Sequence, residues 1–249
     1  MLSLKLGYLV LLPANQSGMK ECNITCDLNT CTLCNNCIPE WLPAVDVYRK
    51  NFKLKKGEQL FKEGDPAMGI YFVYTGTVKV HKRWDYEKDL ILRFAKPGDM
   101  VGHLGMGGDP AYPVSATALE PVMVCYLEMS FFEKTLKVNH DFTYKLMRFF
   151  ANELQESEKR MRNLAHMSVK ARIAQAFLAL SDQFGLDKEG LLGIELTKQD
   201  ISSYAGVSYE TLFKVCQELS RLKIINLNGK SISVIEPLQL INIVKGDNQ

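Results

Sequence analysis

The stretch LTKQDISSYAGVSYETLFKVCQEL, residues 196–219, has the pattern of two short helices joined by a tight turn. Its composition predicts a first helix over 198–204, a turn at Gly206 and a second helix over about 209–221. Ser208, directly before the second helix, is a favourable N-cap residue. Two helices across a turn of this length are typical of a helix-turn-helix.

The residues that follow predict a β-hairpin. The runs IINL (224–227) and SISVI (231–235) are rich in β-branched residues, and an Asn-Gly pair at 228–229 lies between them. A helix-turn-helix followed by a hairpin is a winged helix-turn-helix, whose second helix enters the major groove of DNA. The alternative is a helical pair that only packs or binds another protein.

Base reading is expected from the first turns of the second helix. Glu210 can accept a hydrogen bond from cytosine, Lys214 can donate to guanine, and Phe213 can touch a thymine methyl group. Nearby hydroxyl and basic side chains can contact phosphates, which adds affinity without sequence choice. The predicted base-reading residues are Ser208, Tyr209, Glu210, Phe213 and Lys214, and the predicted phosphate contacts are Thr197, Lys198 and Lys230.

Upstream, residues 50–137 are predicted to be β structure, because short alternating runs such as 70–80 and 89–94 are separated by turn signals. Such spacing is typical of a small sandwich or jelly roll. From about Asp141 the apolar residues recur at alternating spacings of three and four, which predicts a long helix. This helix either pairs with its twin in a parallel dimer or packs on its own β domain. The residues of the apolar seam are Met147, Phe150, Leu154, Ser157, Met161 and Leu164.

Composition limits the class of protein. Hydrophobic residues make up 47%, charged residues 23% and the net charge is +2, so any DNA-binding patch must be local. No apolar run approaches the ~18–20 residues that span a bilayer, and the opening LSLKLGYLVLL has no charged leader. We therefore expect a cytoplasmic protein without membrane contact. The four histidines form no metal-spaced pair and no nucleotide-binding glycine motif is present, so an enzyme is not expected.

Five of the seven cysteines lie within residues 22–37, CNITCDLNTCTLCNNC. A long chain with ample apolar residues and an odd number of cysteines favours reduced thiols or metal ligation over a disulfide scaffold. The CxxC pairs 31–34 and 34–37 are compatible with zinc, and a metal-free cluster of reactive thiols is a further alternative. Cys216 has the spacing of a buried helix residue and is not expected to be a ligand.

The segments KKGEQLFKEGD (55–65) and GIYFVYTGTVKV (69–80), the long helix and the stretch 196–219 together resemble the CRP–FNR superfamily of bacterial transcription regulators. The resemblance covers essentially residues 40–237. It implies an α+β fold with a cyclic-nucleotide-binding-like β-roll (jelly roll), a long dimerisation helix and a C-terminal winged helix-turn-helix. The expected domains are 1–39 (cysteine-rich segment), 40–137 (β-roll sensor), 138–166 (dimerisation helix) and 167–249 (DNA-binding domain).

The resemblance also implies partners. They are a second copy of the chain, double-stranded DNA with a two-fold-symmetric operator, and RNA polymerase. Glu210 matches the base-reading Glu of the family, but Lys214 stands where the family usually has Arg, and Phe213 precedes it. Because lysine lacks the bidentate fork of arginine, the family's operator sequence does not transfer directly.

Cyclic nucleotide is not the expected effector. Members that bind one use a Glu and an Arg in the phosphate cassette, and by position these are His103 and Val114 here. Valine supplies neither the charge nor the donor fork that a phosphate requires. A lone histidine such as His103 is more often a structural or surface residue than a ligand.

The cysteines resemble those of the oxygen-sensing fumarate–nitrate regulator branch, which binds an iron–sulfur cluster through three N-terminal cysteines and one at the end of the β-roll. Cys37 precedes Ile-Pro as in that branch, Cys31 lies at the matching distance, and Cys125 in EPVMVCYLE matches the remote ligand. Thiolates suit such a cluster, and four are its normal complement.

The third N-terminal ligand stays open. Cys26 lies two residues further from Cys31 than expected, Cys34 is an equal mechanical alternative, and Cys22 is a weaker one. The expected cofactor is a 4Fe–4S cluster held by Cys26, Cys31, Cys37 and Cys125, with Cys22 and Cys34 as alternates. The expected function is regulation of transcription in response to oxygen, nitric oxide or redox state. Haem, zinc or another small effector in the same fold is the alternative.

Overall fold

The computed structural model describes residues 19–22, 31–85, 88–228 and 231–247. This part of the chain forms two compact units. The first comprises the described residues up to Val80 together with Ala95–Asn139, and the second comprises His81–Phe94 together with the described residues from His140 onward. Among the described helices, none is long and apolar enough to cross a membrane.

The strands of the N-terminal part form the predicted roll of two sheets. In chain order they are β1 (Lys20–Glu21), β2 (Lys50–Leu54), β3 (Gln59–Phe61), β4 (Gly69–Thr75), β5 (Val78–Asp85), β6 (Lys88–Ala95), β7 (Met100–Val101), β8 (Ser115–Ala118) and β9 (Val122–Glu128). The five-stranded sheet has the order β1-β2-β9-β4-β7, and the four-stranded sheet has the order β3-β8-β5-β6. Strand β4 is buried over its first five residues, because both of its faces are covered.

Four short helical segments accompany these strands in the described chain. They are α1 (Thr32–Asn36), a 3-10 turn at Pro39–Trp41, α2 (Leu42–Tyr48), and a second 3-10 turn at His103–Met106. A longer helix, α3 (Met129–Val138), follows β9. The prediction of β structure up to residue 137 is therefore wrong over the last nine residues. Phe131, Phe132 and Thr135 are buried at helical spacing, and their one-sided burial against the sheet decides the helix.

The second unit carries the remaining helices and the wing. The elements are α4 (His140–His166), α5 (Val169–Phe184), α6 (Lys198–Ala205), α7 (Tyr209–Arg221), β10 (Ile225–Asn228), β11 (Ser231–Val234) and α8 (Pro237–Gly246). The predicted winged helix-turn-helix is confirmed, with boundaries within one residue of those expected. Helix α8, which begins at a proline as many helices do, was not predicted.

Local chemistry explains the helix-turn-helix. The Thr197 hydroxyl accepts a hydrogen bond from the Asp200 amide at 3.0 Å, and the Asp200 carboxylate accepts one from the Thr197 amide, which is a capping box. Gly206 ends α6 in the left-handed conformation with φ of 66°. The positive φ favours glycine at this position, and a Cβ atom there would lie 2.7 Å from the end of the Leu164 side chain, which would have to move.

Arg160 joins three elements of the second unit. Its guanidinium, on α4, donates to the carbonyls of Ile91 and Leu92 in β6 and to the Tyr204 carbonyl in α6 at 2.8 Å. It also lies 4.9 Å from the centre of the Tyr204 ring. Burial lowers the pKa of Arg160 from its usual value. Arg160 is therefore a half-buried side chain that joins α4, β6 and α6.

Candidate DNA-reading helix and cysteine site

Helix α7 presents the predicted base-reading residues to solvent. Leu212, Cys216 and Leu219 are buried on one side, as their spacing predicted, and Val215 is half-buried. The exposed residues on the other side include Ser208, Tyr209, Glu210, Phe213 and Lys214. The helix can therefore enter a groove without disturbing its own core.

Two hydroxyl groups near this surface have structural partners. Ser208 caps α7 by accepting from the Thr211 amide at 3.2 Å, so it fixes where the helix begins. Thr197, predicted to contact phosphate, donates its hydroxyl to the Asp200 carboxylate at 2.6 Å within the capping box. Lys198 is half-buried, with its ammonium 5.8 Å from the centre of the Phe213 ring. Lys230 lies outside the described residues.

The interior of the β-roll contains a cluster of aromatic rings. Tyr71 lies 5.0 Å from Tyr126 and 5.7 Å from Phe61 between ring centres, and Phe61 stacks on Tyr112 at 3.9 Å. The Tyr112 hydroxyl donates to the Gly69 carbonyl at 2.6 Å. Burial raises the pKa of Tyr112 to about 12 and raises the pKa values of Tyr71 and Tyr126 as well, so the three phenols are neutral.

The two positions of the cyclic-nucleotide cassette are also buried. His103 and Val114 both lie in the interior of the first unit. His103 begins the 3-10 turn that follows Gly102, which has φ of 92°. Neither side chain offers the charged fork that holds a phosphate.

Cys125 lies on the face of β9 that α3 covers. It is 2% exposed and is paired with Phe72 of β4 across the sheet. Directly opposed residues of antiparallel strands point to the same face. The Phe72 ring lies 6.1 Å from Phe132 of α3, so this face is the one toward α3. The neighbouring Tyr126 points to the other face, into the aromatic cluster.

Three cysteines surround α1. Cys31 and Cys37 cap its two ends, Cys34 lies within it, and Cys31 and Cys34 are each 5% exposed. The Thr32 hydroxyl donates to the Gly98 carbonyl. The Gly98 amide in turn donates to the carbonyl of Val73, the residue after the Phe72 that opposes Cys125, at 2.9 Å. Helix α1 is thus attached next to the part of β4 that faces Cys125.

Burial, and to a smaller extent the charge of Cys31, raises the pKa of the Cys37 thiol to about 11. At neutral pH the metal-free protein holds Cys37 as a thiol, and binding of a metal there releases a proton.

Cys22 lies in the same cross-strand row as Cys125. Its amide donates to the Asn51 carbonyl at 2.9 Å, and Asn51 is the residue of β2 that opposes Cys125. Two strand spacings separate the two cysteines, or about 10 Å. Sequence reasoning ranked Cys22 below Cys26 and Cys34, because separation along the chain gives no sign of this row.

Thiol side chains suit an iron–sulfur cluster in donor type. The six described cysteines form no disulfide with one another. In the arrangement that the described residues adopt, no three His, Cys, Asp or Glu side chains form a group that could hold a metal ion. Cys26, the expected third N-terminal ligand, lies outside the described residues.

Helix α4 exposes part of the predicted seam. Met147, Leu154 and Met161, seven residues apart, are 59%, 61% and 65% exposed, whereas the residues that α4 buries are Phe142 and Leu146. Of the other seam residues, Phe150 and Leu164 are half-buried and Ser157 is exposed. In the described chain the stripe at 147, 154 and 161 is therefore not covered by other residues of the unit. This exposure favours pairing of α4 with a partner helix over packing of α4 on its own β domain.

Two known domain families match this chain, one in the N-terminal part and one in the C-terminal part. Residues 51–139 match the cyclic nucleotide-binding domain, and residues 171–243 match the Crp-like helix-turn-helix domain. The chain is 28% identical over 224 residues to the transcriptional activator protein Anr of Pseudomonas protegens, covering 87% of this chain and 91% of that protein. It is 26% identical over 238 residues to the fumarate and nitrate reduction regulatory protein of Vibrio cholerae, covering 92% of each.

Among solved structures, FixK2 from Bradyrhizobium japonicum superposes with a TM-score of 0.69 at 26% identity, covering 78% of this chain and 96% of that one. The fold and the two domain matches define a DNA-binding transcription regulator and not an enzyme. The chain belongs to the CRP–FNR superfamily, and its curated relatives include anaerobic regulators of the Anr and fumarate–nitrate type.

Proposed function

We propose that the protein is a homodimer whose affinity for a two-fold-symmetric operator depends on an iron–sulfur cluster, expected to be 4Fe–4S, and that it senses oxygen, nitric oxide or redox state in the cytoplasm. The observation that carries this proposal is the position of Cys125 on the α3 side of β9, in the same unit as the cysteine-bearing helix α1, which is attached through Thr32 and Gly98 to Val73 of β4. RNA polymerase is the further partner that the family membership suggests.

The proposed ligands are Cys31, Cys37, Cys125 and one of Cys22, Cys26 and Cys34. Among the described candidates for the fourth position, the cross-strand row supports Cys22 and the location within α1 supports Cys34. When bound, the cluster supplies an oxygen-labile link between the N-terminal segment and the β-roll. To bind it, the thiols must lose their protons and approach one another, because the described arrangement does not hold three of them together.

Helix α4 is the proposed subunit contact. A parallel pair of α4 helices would cover Met147, Leu154 and Met161, and the polar Ser157 in the same seam would fix their register. Binding of the cluster can shift the dimer equilibrium only if the two states bind it with different affinity. A cluster bound at Cys125 would attach the N-terminal segment to β9 next to α3. Because α3 leads directly into α4, we expect this attachment to differ between the two states and so to give them different affinities for the cluster.

Helix α7 is the proposed recognition helix. Its exposed Glu210 can accept from a cytosine amino group, and Lys214 can donate to a guanine as a point charge. Two such helices in a dimer meet half-sites about one DNA turn apart. The match of residues 171–243, which include α7, to the Crp-like helix-turn-helix domain supports this role.

The β-roll interior supports an effector other than a cyclic nucleotide. Neutral Tyr71, Tyr112 and Tyr126 pack in this interior, and the positions of the family's phosphate ligands are held by His103 and Val114. A phosphate would lose its hydration there without gaining a cationic partner.

Anaerobic purification followed by iron and acid-labile sulfide analysis tests the proposal. We expect a brown protein with about four iron and four sulfide atoms per chain that bleaches in air. Single Cys→Ser variants at positions 22, 26 and 34 identify the open ligand, because only one of the three should lose its iron. A colourless protein with tightly bound zinc, or a haem absorption band, would contradict the cluster.

A further inference from the structure

The exposed side of α7 carries an aromatic ring among polar side chains. Phe213 is 39% exposed, although its side chain has no polar atom. It lies three residues after Glu210 and four before Gln217, so the three share one side of the helix. The buried residues of α7, which include Leu212 and Cys216, lie on the other side. Packing in the core therefore does not explain why an aromatic residue stands at position 213.

Lys198 restricts the orientation of this ring. Its ammonium lies 5.8 Å from the ring centre, within the range of a cation–π contact. Lys198 is the first residue of α6, and the capping box of Thr197 and Asp200 fixes where that helix begins. The ring of Phe213 thus lies near the Lys198 ammonium and is still 39% exposed.

The major groove of DNA offers one apolar substituent at a base edge, the C5 methyl group of thymine. The same group is present on 5-methylcytosine. We propose that Phe213 contacts a C5 methyl group and so determines specificity for thymine at one position in each half-site. This inference rests on the proposed role of α7 as the recognition helix.

The test uses the full-length dimer under the conditions in which it binds DNA. Half-sites are first selected from random duplexes, and each thymine of the selected site is then replaced by uracil, which lacks only the methyl group. Burial of one methyl group predicts a loss of about four-fold in affinity per half-site at a single thymine, and about fifteen-fold when both half-sites are changed.

Variants identify the residue responsible. Phe213→Ser should bind the thymine and uracil duplexes equally, whereas Phe213→Leu should keep part of the preference because it keeps an apolar contact. Leu238→Ser, which removes another exposed apolar side chain of the second unit, should retain the full preference. Equal thymine preference in the wild type and in Phe213→Ser would overturn the inference.

A measurement on the wild type alone keeps the inference testable if Phe213→Ser binds too weakly. At the sensitive position, 5-methylcytosine should bind about four-fold more tightly than cytosine. A protein that selects a site but ignores every methyl group would overturn this inference and leave the proposed DNA-reading role intact. A protein that selects no sequence at all would overturn both.

Discussion

Cys37 is a half-buried thiol whose environment gives a measurable titration. Its pKa is raised to about 11 by burial and by the charge of Cys31, so its thiolate fraction at neutral pH is very small. In the metal-free protein we expect alkylation of Cys37 by iodoacetamide, followed by mass spectrometry, to accelerate up to about pH 11. Cys31→Ser should move this profile to lower pH, because one cause of the raised pKa is gone.

The same shift affects stability. The unfolded thiol has the ordinary pKa of 9.0 and the folded one about 11, so the unfolded state loses its proton first as the pH rises. The contribution of Cys37 to stability is therefore fully present below pH 9 and is lost between about pH 9 and 11. A Cys37 alkylation profile with a midpoint near pH 8 would contradict the buried environment.

Lys214 and Phe213 are residues at which sequence reasoning was informative and incomplete. Their exposure on α7 follows from helical periodicity, which the sequence carries. The contact between Lys198 and Phe213 joins two helices across a turn, so no spacing within either helix indicates it. Local patterns predicted which side chains face outward, but not which of them touch.

At the level of secondary-structure elements, Arg160 ties α4 to β6 and α6. Arg160→Met keeps most of the apolar stem but leaves the carbonyls of Ile91, Leu92 and Tyr204 without this donor. Unsatisfied buried carbonyls predict a loss of about 2–4 kcal/mol, measured from the midpoint of urea unfolding. Arg162→Met, which changes an exposed arginine, should stay within about 0.5 kcal/mol. Equal stability of the two variants would show that the Arg160 contacts contribute little.

The exposed stripe on α4 predicts a dimer seam that one charge can disrupt. Leu154→Lys places an ammonium group at the centre of the stripe, so we expect sedimentation as a 28.2 kDa monomer where the wild type has twice that mass. Gln155→Lys adds the same charge at the neighbouring exposed position, outside the seam, and should remain dimeric. A dimeric Leu154→Lys variant would exclude α4 as the main subunit contact.

Elements differ in how far the sequence predicts them. Helices α6 and α7 and the β10–β11 wing follow from caps, a turn glycine and an Asn-Gly pair, all of which act locally. The end of the β region was placed wrongly because the apolar residues of α3 were assigned to the strands before it. The Cys22–Asn51–Cys125 row and the aromatic cluster depend on strand register, which a single sequence does not specify.

At the scale of the whole molecule, the proposed cysteine site in the first unit controls DNA reading by the second. Membership of the CRP–FNR superfamily establishes a DNA-binding regulator. The proposed trigger adds a requirement: occupancy of the cysteine site must change the equilibrium between DNA-competent and incompetent dimers. A coupling of this kind is typically worth a factor of about 5–150 in affinity.

The most direct measurement compares operator affinity without and with oxygen for the wild type, Cys125→Ser and Cys216→Ser. Cys216 is a matched control, because it is equally buried but lies in α7 among apolar neighbours. We expect the wild type and Cys216→Ser to bind at least about ten-fold more tightly without oxygen, and Cys125→Ser to bind weakly in both conditions. Tight anaerobic binding by Cys125→Ser, equal to that of the wild type, would contradict this expectation.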